Sequence, residues 1–179
     1  MDSIYLDFAK AFDKVDHNVL LLKIESLNIR GKILTWCEAF LKNRQHQVKI
    51  QGALSDHVQV KSGVPQGSVL GPLFFLILMI DINAGVLKAA LGSFADDTRV
   101  WHAISAVLEA GQLQDDLNRI FHWTTANNMM LNDSKSEHMR LGSLEPQVSY
   151  TTPELKQRVL SRTWDSSLRT ICFSTNTSP

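Results

Sequence analysis

The sequence predicts an α+β fold, with a layer of helices packed on one face of an antiparallel sheet. Three observations predict it. Near the start, Ile4, Leu6 and Phe8 alternate with Tyr5 and Asp7 in the two-residue period of a strand. Apolar residues at helical spacing recur from Val19 to Leu27, Ile33 to Leu41 and Val107 to Trp123. Between these stretches, two pairs of short apolar runs are each joined by turn residues, as in hairpins. The resulting order is strand, helices, hairpin, helix, hairpin, helix, strand, which suits helices layered on an antiparallel sheet.

The totals bound the chain without assigning it a role. With 179 residues and 44% hydrophobic content it is long enough for one domain with a proper core, expected over residues 1–142. From Gly142 onward Ser, Thr and Pro dominate without periodicity, so 143–179 is expected to be a poorly ordered tail. Eighteen basic residues balance eighteen acidic ones, so bulk charge gives no argument for a polyanionic partner. Any such case must rest on local features. Cys37 and Cys172 share no metal-type spacing with the histidines, which points to reduced thiols and an intracellular protein, nuclear or cytoplasmic. The longest apolar run, Val69–Ile80, is interrupted by Gly71 and Pro72 and is too short to span a bilayer, so no membrane is expected. No secretory leader is visible, and a chain that opens at once on a core strand looks cut.

Each element has a local reason. The first strand brings Asp7 out near its C-terminal end. Asp16 is placed to cap a helix carrying Val19, Leu20, Leu22, Ile24 and Leu27, which Asn28–Gly31 closes. A second helix runs from about Lys32 to Lys42, its apolar face including Trp36. Gln45–Gln51 and Asp56–Lys61 alternate about a loop at Gly52–Ser55, forming a hairpin. Ser62–Ser68, punctuated by Gly63, Pro65 and Gly67, feeds a buried helix reaching to about Ile82. A loop so rich in exposed backbone amides invites a ligand. Leu87–Phe94 and Thr98–Trp101 read as two strands with Asp96-Asp97 at the tight turn between them. A long amphipathic helix from Val107 to about Asn127 follows, and after Asn132–Lys135 comes a last strand, Glu137–Leu141. Trp36, Trp101 and Trp123 read as core.

Chemistry concentrates on acids. If the strands bearing Asp7 and Asp96-Asp97 are neighbours, three carboxylates converge at one edge of the sheet. Such a cluster is tolerable when divalent cations neutralise it, and hard oxygen donors suit Mg²⁺. Two ions about 3.5–4 Å apart can activate a hydroxyl and stabilise a leaving pyrophosphate, the arrangement of nucleotidyl transfer. The residues also admit a plainer reading in which Asp7 caps a local turn and Asp96-Asp97 fills a polar hairpin.

Four segments together resemble a known family. Tyr5-Leu6-Asp7-Phe8-Ala9-Lys10-Ala11-Phe12-Asp13-Lys14-Val15-Asp16-His17 resembles the first catalytic motif of the reverse transcriptases of non-LTR retrotransposons, those of the LINE, jockey-like type. Ser62-Gly63-Val64-Pro65-Gln66-Gly67-Ser68-Val69-Leu70-Gly71-Pro72-Leu73 resembles the second, Phe94-Ala95-Asp96-Asp97 the third, and Asn127–Lys135 the fourth. Their order and spacing fit as well. The resemblance implies a polymerase palm over 1–142, acting as an RNA-directed DNA polymerase on dNTPs, an RNA template and a DNA primer.

It also implies roles. Asp7 and Asp96 would bind two Mg²⁺ ions, for which Mn²⁺ could substitute, with Asp97 completing the cluster and the Phe8 carbonyl a further ligand. Phe12 would pack beneath the incoming sugar and exclude a ribose 2′-hydroxyl, although it also reads as a core aromatic. Ala11, Gln66 and Gly67 would border the nucleotide or template, Gly67 permitting close backbone approach. Ser62 and Pro65 would shape that loop. Lys135 would protonate the departing pyrophosphate or offset its charge, although it also reads as a solvated turn lysine. Asp13, Asp16 and His17 are expected to cap and pack. The basic stretch Lys42, Arg44, His46 and Lys49 reads as a solvated face.

The fingers and thumb of such enzymes are not recognisable, so they are expected from a longer polyprotein, and the isolated fragment is expected to be weak or inactive. Where family members carry Lys-Asp-Leu-Gly after the last palm strand, this chain has Ser161–Leu168. Permissible codons read two bases later can spell the family text, which suggests a frameshift near Val159–Ser161. A decayed or domesticated fragment without catalysis, acting as a binding module, is the competing reading. An RNA-dependent RNA polymerase is disfavoured by Phe12, and a maturase by Gly71-Pro72.

Overall fold

The computed structural model describes residues 1–84, 87–132, 134–142 and 149–151, and the backbone alone of 161–165 and 170–174. In chain order the elements are β1 (Asp2–Leu6), α1 (Ala11–Lys14), α2 (His17–Ser26), α3 (Lys32–Leu41), β2 (Gln45–His46), β3 (Lys49–Ile50), β4 (Ala53–Leu54), β5 (Val58–Gln59), α4 (Leu70–Met79), β6 (Ala90–Phe94), β7 (Asp97–His102), α5 (Val107–Ala126), β8 (Glu137–Leu141), β9 (Ser161–Asp165) and β10 (Thr170–Ser174). The chain forms two compact units, one of Met1–Ala9 with Asp81–Pro179 and one of Lys10–Ile80.

The first unit is built on a six-stranded sheet in the order β10-β9-β8-β1-β7-β6. β1 pairs antiparallel with β7 on one side and β8 on the other, Ile4 lying opposite both Val100 and His138. Side chains directly opposite one another share a face, so Ile4, Leu6, Thr98, Val100 and His138 point the same way, and all are buried. α5 packs against β7 and buries Leu113, Leu117, Ile120 and Phe121, which recur on one helical stripe. Each such side chain contributes about 1.5–3 kcal/mol by leaving water. The amphipathic pattern therefore predicts both the helix and the face it covers.

A charged cluster lies within this core. Asp2 is fully buried; its Oδ1 accepts from Arg140 Nε at 2.6 Å, and its Oδ2 accepts from Arg140 Nη2 and, at 2.6 Å, from the Tyr150 hydroxyl. His138 Nε2 stands 3.4 Å from Oδ2, too poorly aligned to hydrogen-bond, and contributes charge only when protonated. Burial alone would push the Asp2 carboxyl up, but its donors outweigh burial and hold it well below the usual carboxylate range. Burial, and then the Asp2 carboxylate, push the Tyr150 hydroxyl up.

Two strands lie in the stretch expected to be poorly ordered. β9 runs parallel to β8, and β10 returns antiparallel to β9, so one pairing of an otherwise antiparallel sheet is parallel. Ladder formation is a backbone property, and two five-residue runs, of which only Thr170–Ser174 alternates at Ile171 and Phe173, are too short to stand out from a Ser- and Thr-rich stretch. Except for 149–151, the rest of 143–179 lies outside the described residues, as do Val159 and Leu160 at the expected frameshift.

The second unit packs α2 against α3 and α4 around Leu20, Ile24, Cys37, Leu41, Phe74, Phe75 and Leu78. Asp16 caps α2 as its sequence position predicts, Oδ1 accepting from the amides of Asn18 and Val19. Lys23 Nζ donates to the Leu78 carbonyl at 2.6 Å, satisfying one of the last carbonyls of α4. That helix ends at Met79, short of the expected Ile82. Burial pushes the Cys37 thiol up, which keeps it protonated and inert.

Two expectations need correcting in this unit. Trp36 is 54% exposed and stacks on Phe40 at 5.5 Å instead of lying in the core. In the hairpin, the turn falls at Gln51–Gly52, both with positive φ, so Ala53 and Leu54 pair with Ile50 and Lys49 as strand residues and do not form a loop. A two-residue turn of that kind requires such dihedrals, and Gly52 supplies one of them without strain.

Candidate functional site

Asp7 and the Asp96-Asp97 pair both belong to the first unit, and the sheet register brings their backbones together. β1 and β7 are antiparallel neighbours with Leu6 opposite Thr98. The ladder ends there, with Asp7 the residue that follows Leu6 and Asp97 the one that precedes Thr98. Neighbouring strands lie about 4.8 Å apart, so the two acids emerge side by side at one rim of the sheet. Asp96 occupies the turn next to them. That turn has two residues, Ala95 and Asp96, and is closed by the pair Phe94 and Asp97. Ala95 takes φ +54°, a left-handed conformation that costs a residue with a Cβ about 1–2 kcal/mol. The ladder on either side holds it there.

Backbone pairing also orients Phe8. Phe8 and Leu131 form an isolated antiparallel bridge in which Asn132 N donates to Asp7 O at 2.7 Å and Ala9 N to Met130 O at 2.8 Å. In a pair flanked by bonds in this way, the residue's own N–H and C=O point away from its partner. The Phe8 carbonyl is therefore directed to the side of β1 opposite Leu131, that of β7. Its buried ring meets Trp123 edge-on at 6.3 Å, which anchors this backbone from beneath.

The same bridge presents Lys135. Asn132 closes a turn, its carbonyl accepting from Lys135 N and Ser136 N at 3.1 Å and its side-chain oxygen accepting from Ser134. Lys135 Nζ then lies 3.3 Å from Asp7 Oδ2, although the lysine side chain is 66% exposed. Asp7 is largely buried, at 17% exposed, so the pair joins a solvated ammonium to a partly desolvated carboxylate. Lys135 is thus neither a free solvated lysine nor a fixed strut.

The carboxylates themselves do not converge. Among the described residues, no group of three or more His, Cys, Asp or Glu side chains is arranged to hold a metal ion. Three carboxylates and a carbonyl at one rim fit a hard divalent cation in chemistry and in backbone placement. As they stand, these carboxylates are not gathered as such a group, and Asp7 Oδ2 is engaged by Lys135.

The remaining predicted residues gather in the second unit. Phe12 lies on α1 with its ring 4.7 Å from that of Phe75, a fully buried side chain of α4. The loop Ser62–Gln66 is fastened along Phe12–Val15. Gly63 N donates to Val15 O at 2.8 Å, Val64 N to Phe12 O at 2.9 Å, and Ser62 Oγ to Asp13 O at 2.8 Å. Gly63 has φ +86°, and a Cβ there would lie 2.8 Å from the Asp13 backbone, so this close approach admits only glycine. Its carbonyl accepts from Arg44 Nη2 at 2.6 Å and faces His17 Nε2 at 2.8 Å. Arg44 and His17 therefore hold this loop, which their sequence positions, on a basic stretch and at a helix start, do not announce.

Gln66 is committed as well, its Nε2 donating to Asp13 Oδ1 at 3.0 Å. Asp13, expected only to cap or pack, is a partner of that side chain. Gly67 has φ +76° with open space where a Cβ would stand, so its backbone is exposed to approach. Ala11 is buried at the start of α1. A polar cleft of about 260 Å³ in this unit is lined by Asp16, His17, Asn18, Lys42, Gln59 and Lys61 among others, and none of the predicted site residues borders it. No helix among the described residues is long and apolar enough to cross a membrane.

Sequence comparison agrees with these features. Residues 3–167 match the family described as reverse transcriptase (RNA-dependent DNA polymerase). A probable RNA-directed DNA polymerase from the transposon X-element of Drosophila melanogaster is 33% identical over 77% of this chain and 16% of its own length. The RNA-directed DNA polymerase from the mobile element jockey of Drosophila funebris is 31% identical over 74% of this chain and 15% of its own. The chain thus spans about one sixth of the length of these curated relatives. Among solved structures, telomerase from Candida tropicalis in complex with a fragment of telomeric RNA superposes with a TM-score of 0.58 at 18% identity, covering 76% of this chain and 25% of that one. Candida albicans telomerase gives 0.57 at 16% identity over 84% of this chain and 29% of its own. At such identities the likeness concerns the fold.

Proposed function

Because the chain belongs to the reverse transcriptase family, we propose that it is the palm of a non-LTR retrotransposon's RNA-directed DNA polymerase, transferring deoxynucleotides to a primer 3′-hydroxyl. One observation supports this reading best. The β1–β7 register that faces Leu6 with Thr98 carries Asp7 to Asp97 and the Asp96 turn, so acids some ninety residues apart in sequence share a rim.

The family's enzymes use divalent metal ions; here two Mg²⁺ ions, replaceable by Mn²⁺, would be held by Asp7, Asp96 and Asp97 with the Phe8 carbonyl. When bound, such ions supply Lewis-acid activation of the hydroxyl and neutralise charge on the leaving pyrophosphate. Asp7 would exchange its contact with Lys135 for a share in holding those ions. Lys135 would then offer its ammonium to the departing phosphate as proton donor or counter-charge. Phe12, braced by Phe75, blocks a ribose 2′-hydroxyl and selects dNTPs. Asp13 orients Gln66, and with Gly67 and Ala11 this loop borders the nucleotide and template. The RNA template and DNA primer are the partners, and fingers and thumb come from a longer polyprotein.

Primer extension on poly(rA)/oligo(dT) tests the proposal. Mg²⁺-dependent synthesis that Asp96→Ala abolishes supports it. The second reading, a fragment that folds without catalysing, is favoured by the carboxylates failing to converge and by the Asp7–Lys135 pair. No extension, with or without added metal, supports that reading, and extension that Asp96→Ala leaves unchanged removes Asp96 from the reaction.

A further inference from the structure

Among the described residues, Arg99 is a cation without an acid. It lies on β7 with its guanidinium 5.2 Å from the ring centroids of both Tyr5 and Trp101, and its Nε donates to Ser3 Oγ at 2.6 Å. It is half-buried, yet it takes part in none of the ion pairs among the described residues. Partly desolvated guanidinium groups are ordinarily paired. With Nε committed to Ser3, the terminal nitrogens remain for another acceptor.

The surroundings are built to hold this group. Register pairs Tyr5 with Arg99 and Ser3 with Trp101, so the four side chains share one face of the sheet, opposite to the face that α5 covers. Across the next ladder Arg99 faces Gly92, and a Cβ on Gly92 would lie 3.2 Å from the Trp101 ring. The missing side chain gives that ring its place against the sheet. By strand alternation Asp97 points to the same face two residues before Arg99, about 7 Å along β7.

We propose that Arg99, braced between Tyr5 and Trp101, is a seat for one phosphodiester of a nucleic-acid strand whose end lies at the Asp96–Asp97 rim. The inference rests on the polymerase reading for the identity of that strand. Charge favours it: a fixed guanidinium with free planar donors matches a phosphate oxygen pair, and the flanking rings offer surface to sugar or base. At that distance from the acids the seat takes a phosphate behind the reacting end, so its effect is on holding the strand and not on the chemical step.

Fluorescence anisotropy of a labelled poly(rA)/oligo(dT) hybrid with the full chain tests the proposal. Arg99→Gln is expected to weaken binding on the order of tenfold at fixed salt. It should also lower the slope of log K against log[salt] by about 0.7–0.9, the loss of one phosphate contact. Arg99→Lys should keep the slope and lose part of the affinity, because an ammonium lacks the planar fork. Lys32→Gln, an exposed change at the start of α3, should alter neither.

Four results overturn the seat: no binding of the hybrid, a wild-type slope and affinity in Arg99→Gln, an equal loss in Lys32→Gln, or equal binding of a polyglutamate peptide, which assigns the site to an acidic protein segment. If Arg99→Gln does not fold, a wild-type affinity in Arg99→Lys overturns it instead. The polymerase reading is scored separately. Hybrid binding through Arg99 with Mn²⁺ uptake that Asp7→Asn and Asp96→Asn leave unchanged refutes that reading alone, and carboxylate-dependent Mn²⁺ uptake with wild-type hybrid binding by Arg99→Gln refutes the seat alone.

Discussion

Replacing Asp2 by Asn keeps the shape of a fully buried side chain and removes the charge that Arg140 and Tyr150 are bonded to. Arg140, itself buried, is left as an uncompensated cation. Breaking a buried pair from one side costs about 3–5 kcal/mol. For a chain of this size each kcal/mol shifts Tm by about 2–4 °C, so the expected fall is roughly 6–20 °C. Tyr150→Phe removes one hydrogen bond to a charged group and should cost less, about 1.5–3 kcal/mol.

The pH dependence follows from the direction of the Asp2 shift. Its carboxyl is held below its unfolded value, so the stabilisation is complete above the unfolded pKa of about 3.9 and is lost as pH falls through the folded value. Thermal melts followed by circular dichroism should show a constant gap between wild type and Asp2→Asn above about pH 5, narrowing only in stronger acid. A variant melting within about 2 °C of wild type, or a gap that does not close in acid, refutes the assignment of this pair as a core strut.

Gly63→Ala should cost at least about 1–3 kcal/mol, because its Cβ would meet the Asp13 backbone at 2.8 Å under a positive φ; chemical denaturation measures it. Lys135→Gln should leave Tm within about 2 °C, since the ammonium is largely solvated, while lowering single-turnover nucleotide incorporation by about 10²-fold. An unchanged incorporation rate removes Lys135 from the reaction.

Much of the scaffold is legible from periodicity alone. The α5 stripe and the β8 strand fall where the sequence pattern puts them, and Asp16 caps α2 because its position before an apolar run leaves it little else to do. Asp2 is invisible by comparison: its partners stand 138 and 148 residues away, and no local pattern marks a carboxylate destined for the core. Trp36 misleads for a related reason, because an apolar helical face does not say which part of it a neighbour covers.

The candidate site divides in the same way. The order of Asp7, Asp96 and Asp97 is in the text, and their common rim follows from the pairing of β1 with β7. The hold of Asp13 on Gln66 and the close approach of Gly63 depend on two segments some fifty residues apart lying together. Arg99 gives no sign of its two rings, because Tyr5 and Trp101 come to it only through the register.

Binding of Mn²⁺, followed by loss of the free-ion electron paramagnetic resonance signal, tests the shared acidic rim most directly. Wild type should take up the ion, and Asp7→Asn and Asp96→Asn should each weaken uptake by at least tenfold, because both carboxylates serve one site. Uptake by wild type no stronger than by either variant contradicts a metal centre at this end of the sheet, and with it the polymerase reading.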